Sequence, residues 1–261
     1  MGELPRAGGR PAAGGRPAAG GGRWVEVSPE RLGGWLAGFD RRHRVLSSRY
    51  GELATFAAAD GALAECHPPF PALGPAGPRR GEVAGSAERG GADGSGWLPG
   101  EYEGLAPEPL LRHAVQRRTV GVLLVRLGGH AAGVFEGERL VASKVGGRLV
   151  QGRTAAGGWS QQRFARRRAG QAAKAAEAAA DDAARVLLPR LPSLDAVVLG
   201  GERRAVDALR ADRRLAPVFA LAIPRFVTTP DPKLAVLQAT ARQFRAVRIR
   251  LVEPVQRGDS E

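Results

Sequence analysis

Several residue types are scarce or absent in this chain, and each absence excludes a class of protein. The 261 residues include no Asn and one cysteine, Cys66, which excludes an intramolecular disulfide framework and a zinc site built from clustered cysteines. No apolar run approaches the roughly 20 residues that a membrane-spanning helix needs, and the N-terminus lacks the apolar segment of a signal peptide. We therefore expect a protein without membrane segments that acts in the cytoplasm.

Motifs that carry chemistry in many enzymes are also missing. The chain has no GxxxxGK[ST] loop for a nucleotide phosphate and no GxSxG elbow for a nucleophilic serine. Its four histidines stand apart, without the spacing of a zinc site. Cys66 and His67 are neighbours in sequence, which is not the geometry of a dyad, and we interpret them as a strand end. Asp181 and Asp182 are interpreted as surface charge. We expect no metal, no cofactor and no nucleotide cofactor.

Positive charge is abundant and unevenly distributed. The chain carries 39 Lys and Arg against 26 Asp and Glu, a formal net charge of +13. From Arg139 to Lys174 there are nine cations and no Asp or Glu, although carboxylates are plentiful elsewhere. Such a patch is typical of proteins that bind phosphate groups, and its binding weakens as salt rises. The alternative is a solvated basic face without a ligand.

The order of sequence patterns predicts an α/β fold, a mixed sheet with an antiparallel meander and flanking helices. Strands are predicted at 23–27, 53–58, 62–66, 119–127, 130–137, 138–145, 148–153, 195–201, 218–223 and 246–253. Helices are predicted after Ser28-Pro29 and at 107–118, 161–188, 202–213 and 232–244, with Ser160 as the N-cap of the longest.

Composition also divides the chain into segments. Residues 1–23, with the near-repeat GGRPAAGGRPAAGGGR, are expected to be a disordered low-complexity tail. Residues 24–253 are expected to form a single domain, within which 74–100 is a flexible insertion rich in Gly, Pro and Ser. Residues 254–261 are expected to be a second tail.

One segment is left as the candidate site, GRTAAGGWSQQRFARRR at 152–168. Gly157 and Gly158 allow the backbone to approach a ligand closely, and Gln161 and Gln162 stand at the start of the long helix, where unpaired N–H groups point outward. A glutamine amide cannot act as a general base, but it can orient a water molecule. The alternative is an ordinary Gly-rich loop with a polar helix start.

Basic residues follow this loop at helical spacing and give the helix a cationic face. The residues expected to contact RNA are Arg148, Arg153, Arg163, Arg166, Arg167, Arg168 and Lys174.

A glycine pair followed shortly by Gln and then by RFARRR resembles the middle domain of the eukaryotic and archaeal class-one translation termination factors, where a GGQ loop precedes a basic helix of the same RFAR type. The runs TVGVLLVRL and HAAGVFEGERLVASKV before the loop, and DAVVLGGERRAV after the helix, extend the resemblance over roughly 110–252. The whole of 24–253 is more similar still to the Vms-like release factors, in particular their compact actinobacterial branch, whose loop is written GxxQ.

The resemblance leaves a choice of register within the loop. Gly158, Trp159, Ser160 and Gln161 fit GxxQ, whereas an alignment without a gap on RFAR puts the glutamine of the termination factors at Trp159. We favour Gln161 because Trp cannot position water, with Gln162 as the reserve candidate. Trp159 is then available to stack on a terminal base.

The resemblance implies a peptidyl-tRNA hydrolase that frees the nascent peptide from stalled peptidyl-tRNA on the large ribosomal subunit. Gln161 would orient the attacking water, and the cations would hold rRNA and the tRNA acceptor stem. No stop-codon-reading domain is recognised, which favours rescue over normal termination. Two alternatives stay open: cleavage of the tRNA near its acceptor end by the same loop, and a ribosome-rescue binding protein without catalysis.

Overall fold

A computed structural model describes residues 22–71, 99–147 and 160–254, with the backbone alone at 160–165 and 168. The strands are, in chain order, β1 (Arg23–Val27), β2 (Val45–Tyr50), β3 (Ala54–Ala58), β4 (Leu63–His67), β5 (Gly100–Glu103), β6 (Thr119–Arg126), β7 (Gly129–Glu136), β8 (Arg139–Gly147), β9 (Ala196–Gly201), β10 (Ala222–Val227) and β11 (Val247–Val252). The helices are α1 (Pro29–His43), α2 (Glu108–Val115), α3 (Ser160–Leu187), α4 (Arg203–Ala208), α5 (Ala216–Ala220) and α6 (Leu234–Arg245).

The five-stranded sheet contains the predicted meander. Its strand order is β10-β9-β6-β7-β8, with β6, β7 and β8 antiparallel and with β9 and β10 parallel to β6. Gly128 and Gly137, in the two meander turns, have φ values of 91° and 64°, which glycine adopts without strain. The predicted α/β class with a mixed sheet is therefore confirmed. The fourth predicted meander strand, 148–153, lies outside the described residues.

Both faces of the five-stranded sheet are covered. On one face, α3 packs with α4 and α5 on a core that includes Ala183, Leu187 and Val206. On the other face, α6 packs with Leu237 and Phe244 against Phe135. The mixed sheet is thus the middle layer of three, and α3 belongs to the outer layer that also holds α4 and α5.

A second sheet was not anticipated from the sequence. Six antiparallel strands follow the order β1-β11-β4-β3-β2-β5, and α1 and α2 cover one face. The final strand β11 leaves the mixed sheet and pairs with β1 and β4, so the first and last described strands are neighbours. Its alternation agrees with the prediction, because Val247, Ile249 and Leu251 are buried while Arg248 is exposed.

One predicted strand is wrong in its position. Residues 218–223 are expected to be a strand, but 216–220 form α5, and the strand β10 begins only at Ala222. Pro217 lies at the start of α5, where its fixed φ favours a helix, and Val218 reaches the core from that helix. A short apolar run has no period that separates the two structures.

Smaller corrections concern element boundaries. Strands β2 and β5 are not predicted, because the serines of β2 weaken its strand pattern. The predicted helix 202–213 is α4 followed by short 3-10 turns at 209–211 and 213–215. The predicted helix 107–118 is shorter, and α3 starts at Ser160 itself, so Ser160 lies inside the helix and is not its N-cap. Most of the predicted insertion 74–100 and both predicted tails lie outside the described residues.

Candidate functional site

The described part of the predicted site segment 152–168 begins at Ser160, the first residue of α3. The predicted site residues Arg148, Arg153, Gly157, Gly158 and Trp159 lie outside the described residues. The backbone of Ser160, Gln161, Gln162 and Arg163 forms the first turn of α3, and Arg168 lies in the third turn. Both candidate glutamines are therefore at the N-terminal end of a 28-residue helix.

This end of α3 projects from the body of the protein. The helix contacts the apolar core from Ala176 onward, with Ala179, Ala180 and Ala183 buried. Between Arg166 and Gly170 every residue with a described side chain is exposed, including Ala169. Residues 160–170 extend about 16 Å at the usual rise per residue. The alanine-rich sequence sustains such a segment through its intrinsic helix preference.

Cations on and beside the projecting segment have no described neutralising partner. Arg166, Arg167 and Lys174 of α3 and Lys144 of β8 are exposed, and none forms an ion pair with a carboxylate in the described parts of the chain. Arg139 differs, because its guanidinium lies 2.6 Å from Glu136, just outside the acid-free stretch. Some arginines elsewhere have a carboxylate partner, namely Arg49, Arg126, Arg210, Arg214, Arg245 and Arg250, whereas others, such as Arg203 and Arg204, have none in the described parts of the chain. The projecting helix therefore presents net positive charge to solvent.

A buried polar contact fixes α3 to the sheet. His130 Nε2 of β7 lies 3.0 Å from Asp182 Oδ2, and Arg185 donates to the other carboxylate oxygen at 2.9 Å. The ring of His130 lies over Gly146 of β8, where a Cβ would be only 2.5 Å from Nε2. Gly146 therefore leaves the space that this contact needs.

The interpretation of the aspartate pair as surface charge is correct for one member and wrong for the other. Asp181 is exposed and pairs with Arg214 at 2.7 Å. Asp182 has a side chain only 14% exposed and contacts His130. A helical signal was present, because Asp182 lies three residues after Ala179 and so flanks the buried stripe. Its partner, 52 residues earlier, had no local signal.

The adjacent pair in β4 is not a catalytic dyad. Cys66 is fully buried in the core, and burial raises the pKa of its thiol. His67 points to the opposite face of the strand, with its ring 5.0 Å from that of Trp24, and desolvation lowers its pKa. The interpretation as a strand end is confirmed. Within the described residues no group of three or more His, Cys, Asp or Glu side chains could hold a metal ion. No described helix is long and apolar enough to cross a membrane.

A second buried histidine lies where the two sheets meet. His113 Nε2 donates to the Phe70 carbonyl at 3.2 Å, and Arg118 donates to the His113 carbonyl at 3.0 Å. Burial, assisted by the Arg118 charge, lowers the pKa of His113 to about 4. Burial also lowers the pKa of Arg118 to about 10. No local sequence signal predicts this cluster, which joins the end of α2 to the start of β6.

Among solved structures the chain is similar to an archaeal translation termination factor, aRF1, at 12% identity, covering 84% of this chain and 73% of that one with a TM-score of 0.39. It is similar to Dom34 of S. cerevisiae at 8% identity, covering 89% and 69% with a TM-score of 0.31. It is also similar to Archaeoglobus fulgidus Pelota at 10% identity, covering 88% of this chain and 65% of that one with a TM-score of 0.25.

Sequence comparison identifies the family directly. No curated protein matches the chain. A family described as the Actinobacteria/chloroflexi VLRF1 release factor matches residues 118–250, which is half of the chain and includes the five strands of the mixed sheet together with α3. The resemblance to the actinobacterial branch of the Vms-like release factors is thereby confirmed, and the chain belongs to the Actinobacteria/chloroflexi VLRF1 release factor family.

Proposed function

We propose that this release factor is a ribosome-associated peptidyl-tRNA hydrolase that frees nascent peptides from stalled peptidyl-tRNA on the large ribosomal subunit, in the cytoplasm. The observation that carries the proposal is the exposed segment of α3 with Arg166 and Arg167, which form no ion pair in the described parts of the chain and follow Gln161 and Gln162 in the first turn. A glutamine at the tip of a cationic arm suits an ester at the end of an RNA, because the arm can enter a site lined by phosphates.

The chemistry requires little from the protein itself. Gln161 orients a water molecule toward the ester carbonyl that joins the peptide to the terminal ribose. The water oxygen forms a bond to that carbon, the ribose oxygen leaves, and the water's protons pass to the ribose oxygen and to solvent. Backbone N–H groups of the loop around Gly157 and Gly158 stabilise the developing oxyanion. The ribosome and the tRNA supply the positioning of the reacting groups.

The basic residues hold the RNA. Arg166, Arg167 and Lys174 lie along the exposed part of α3, and their guanidinium and ammonium groups suit rRNA and the tRNA acceptor stem. Arg148, Arg153, Arg163 and Arg168 extend the same set, as the sequence predicts. The contact of Asp182 with His130 holds the C-terminal part of α3 on the sheet, so the basic residues nearer its N-terminus are carried by a helix with a fixed direction.

The test uses large subunits that carry stalled peptidyl-tRNA, incubated with the full chain. Free peptide is measured together with the length of the tRNA product, and binding is measured by co-sedimentation. Gln161→Ala is compared with Gln162→Ala, Trp159→Ala and a matched control, Gln238→Ala, an exposed glutamine of α6 on the other face of the sheet. We expect Gln161→Ala to bind normally and to lose release by at least about 10²-fold, the scale on which single transition-state contacts act, while Gln238→Ala releases normally.

The products separate the competing functions. Free peptide with tRNA of full length supports hydrolysis. Peptide still attached to terminal nucleotides would show that the loop cleaves the tRNA, and would overturn the ester mechanism. Rescue activity that survives Gln161→Ala and Gln162→Ala but is lost when Arg166 and Arg167 are replaced would show a binding protein without catalysis.

A further inference from the structure

A cavity lies on the side of the mixed sheet that α3, α4 and α5 cover, at the edge formed by β10. It has a volume of about 300 Å³ and is bounded by β9, by α4 and the turn that follows it, by α5 and by β10. Its charged lining consists of Arg203, Asp207, Arg210 and Arg225. None of these residues belongs to the site predicted from the sequence, and the proposed hydrolysis does not use them.

Two of these arginines are held flat against phenylalanine rings. The Arg203 guanidinium lies 4.4 Å from the ring centre of Phe226, and the Arg210 guanidinium lies 4.4 Å from that of Phe219. An arginine stacked on one face keeps its other face and the in-plane N–H groups available. Arg210 uses part of this capacity on Asp207, at 3.2 Å. Arg203 is exposed and has no ion pair with any carboxylate in the described parts of the chain.

The third arginine is buried and only weakly neutralised. The Arg225 side chain is 11% exposed, and burial lowers its pKa. It donates to the Ala246 carbonyl, and its nearest carboxylate is Glu26 at 3.5 Å. That same carboxylate also serves Arg248, at 3.8 Å, so one acid balances two guanidinium groups. The Arg225 guanidinium is thus engaged by β1 and by the residue before β11, and its charge adds to the positive potential at this edge of the sheet.

Together these observations define the ligand chemistry. The lining carries three positive charges against one negative charge, alongside apolar side chains such as Leu199 and Ile223. The charged wall suits a phosphate, and the free face of Arg203 suits a planar base, since bases of single-stranded RNA stack on guanidinium planes. The volume is at the lower end for ligand sites, which matches one nucleotide unit.

We propose that this cavity binds one nucleotide of a single-stranded RNA segment, with the phosphate on the remaining N–H groups of Arg203 and Arg210 and the base on the outer face of Arg203. The identification of that RNA as ribosomal or transfer RNA rests on the proposed function. Strands β10 and β8 are opposite edges of a five-stranded sheet, about 19 Å apart at the usual strand spacing. The cavity therefore contacts a different RNA segment from the one that meets the cationic end of α3.

The test is equilibrium binding of small probes to the full chain, without ribosomes, so its failure leaves the hydrolase proposal untouched. The probes are adenosine 5′-monophosphate, inorganic phosphate, the trinucleotide ApApA and an acidic peptide of glutamates. Arg203→Ala is compared with Arg204→Ala, which removes the same charge from the next position of α4, where the side chain is exposed and outside the cavity. Thermal unfolding of each variant confirms that it is folded.

We expect ApApA to bind at least as tightly as the mononucleotide and both to bind more tightly than phosphate. Arg203→Ala should weaken nucleotide binding about tenfold, while Arg204→Ala changes it less than about twofold, because diffuse charge contributes little beside a stacked bidentate contact. Equal losses in the two variants would overturn the proposal, since they would indicate general charge attraction. So would phosphate binding as tightly as nucleotide, exclusion of the trinucleotide, preference for the acidic peptide, or no nucleotide binding by the unaltered chain.

Discussion

His130 Nε2 and Asp182 Oδ2, 3.0 Å apart, join β7 to α3 in a nearly water-free contact. The histidine is 4% exposed, and the contact lies five residues before the helix ends at Leu187. From this point toward its N-terminus, the helix runs to Ala176 in contact with the core and then on to its exposed end. The pair therefore fixes the direction of the arm that carries both candidate glutamines.

Removal of the buried carboxylate should cost much more than removal of its exposed neighbour. Asp182→Ala leaves the His130 imidazole without its partner, and an unsatisfied buried group costs about 1–3 kcal/mol. Asp181→Ala removes an exposed pair with Arg214, which keeps Asp212 at 2.6 Å, so its cost should stay under about 1 kcal/mol. Both changes bring the same gain in helix preference, which cancels between them. Urea unfolding measures the difference, and equal midpoints would show that the buried contact has no net value.

Two glycine substitutions should change stability in opposite directions. A Cβ on Gly146 would lie 2.5 Å from His130 Nε2 and 3.0 Å from Asp182 Oδ2, so Gly146→Ala must displace the ring or the carboxylate. We expect a loss of about 1–3 kcal/mol in the free energy of unfolding. Gly34, inside α1, has nothing within 4 Å of the position of a Cβ. Gly34→Ala should therefore stabilise the protein by about 0.5–1 kcal/mol through helix preference.

Thermal or urea unfolding of the two glycine variants gives the sign directly. Stabilisation by Gly146→Ala would contradict the prediction, because it would show that β8 can shift to accept the Cβ and that Gly146 does not confine the His130 ring. A destabilising Gly34→Ala would contradict the open surroundings of that glycine.

Acid should weaken the fold through His113. Its pKa is about 4 in the folded protein, against 6.5 for a free histidine, because burial and the Arg118 charge disfavour the imidazolium. Above pH 6.5 the ring is neutral in both states and has no effect. As the pH falls from 6.5 toward 4, the unfolded chain takes up the proton first, so the free energy of unfolding decreases by up to about 3 kcal/mol.

His113→Gln removes this titration while it keeps an N–H donor for the Phe70 carbonyl. Urea midpoints measured across this pH range should fall less steeply for the variant than for the unaltered chain. Parallel pH profiles would show that His113 does not set the acid sensitivity, because the carboxylates are common to both proteins.

The parts of the fold that the sequence predicts are those with local signals. Glycine pairs between apolar runs predict the meander, and the alternation around Ile249 predicts β11 and its buried face. The pairing of β11 with β1 and β4 has no local signal, because a strand pattern does not name its partners. The contact of Asp182 with His130 was not predicted either, because the two residues are 52 positions apart and neither has a local signal for the other.

In the candidate site, too, the residues with a local sequence signal are predicted and the others are not. The sequence names Arg166, Arg167 and Lys174 as a cationic face, and all three are exposed on α3. The role of Gln161 stays a prediction, since it rests on the family resemblance. The cavity beside β10 was not foreseen, because Arg203 and Phe226 come together only when α4 packs on β10.

The exposed arginines of α3 should contribute to ribosome binding mainly through released counterions. Each phosphate contact adds about 0.7–0.9 to the slope of log K against log salt. The double replacement of Arg166 and Arg167 by Gln should therefore lower this slope for large subunits by about 1.5. Arg49→Gln is the control, because Arg49 is exposed on the other sheet and already paired with Glu101 at 3.2 Å. Arg49→Gln removes one charge and the double variant two, so a reduction by Arg49→Gln of about half that of the double variant would show that net charge governs binding and that the exposed helix does not contact the ribosome specifically.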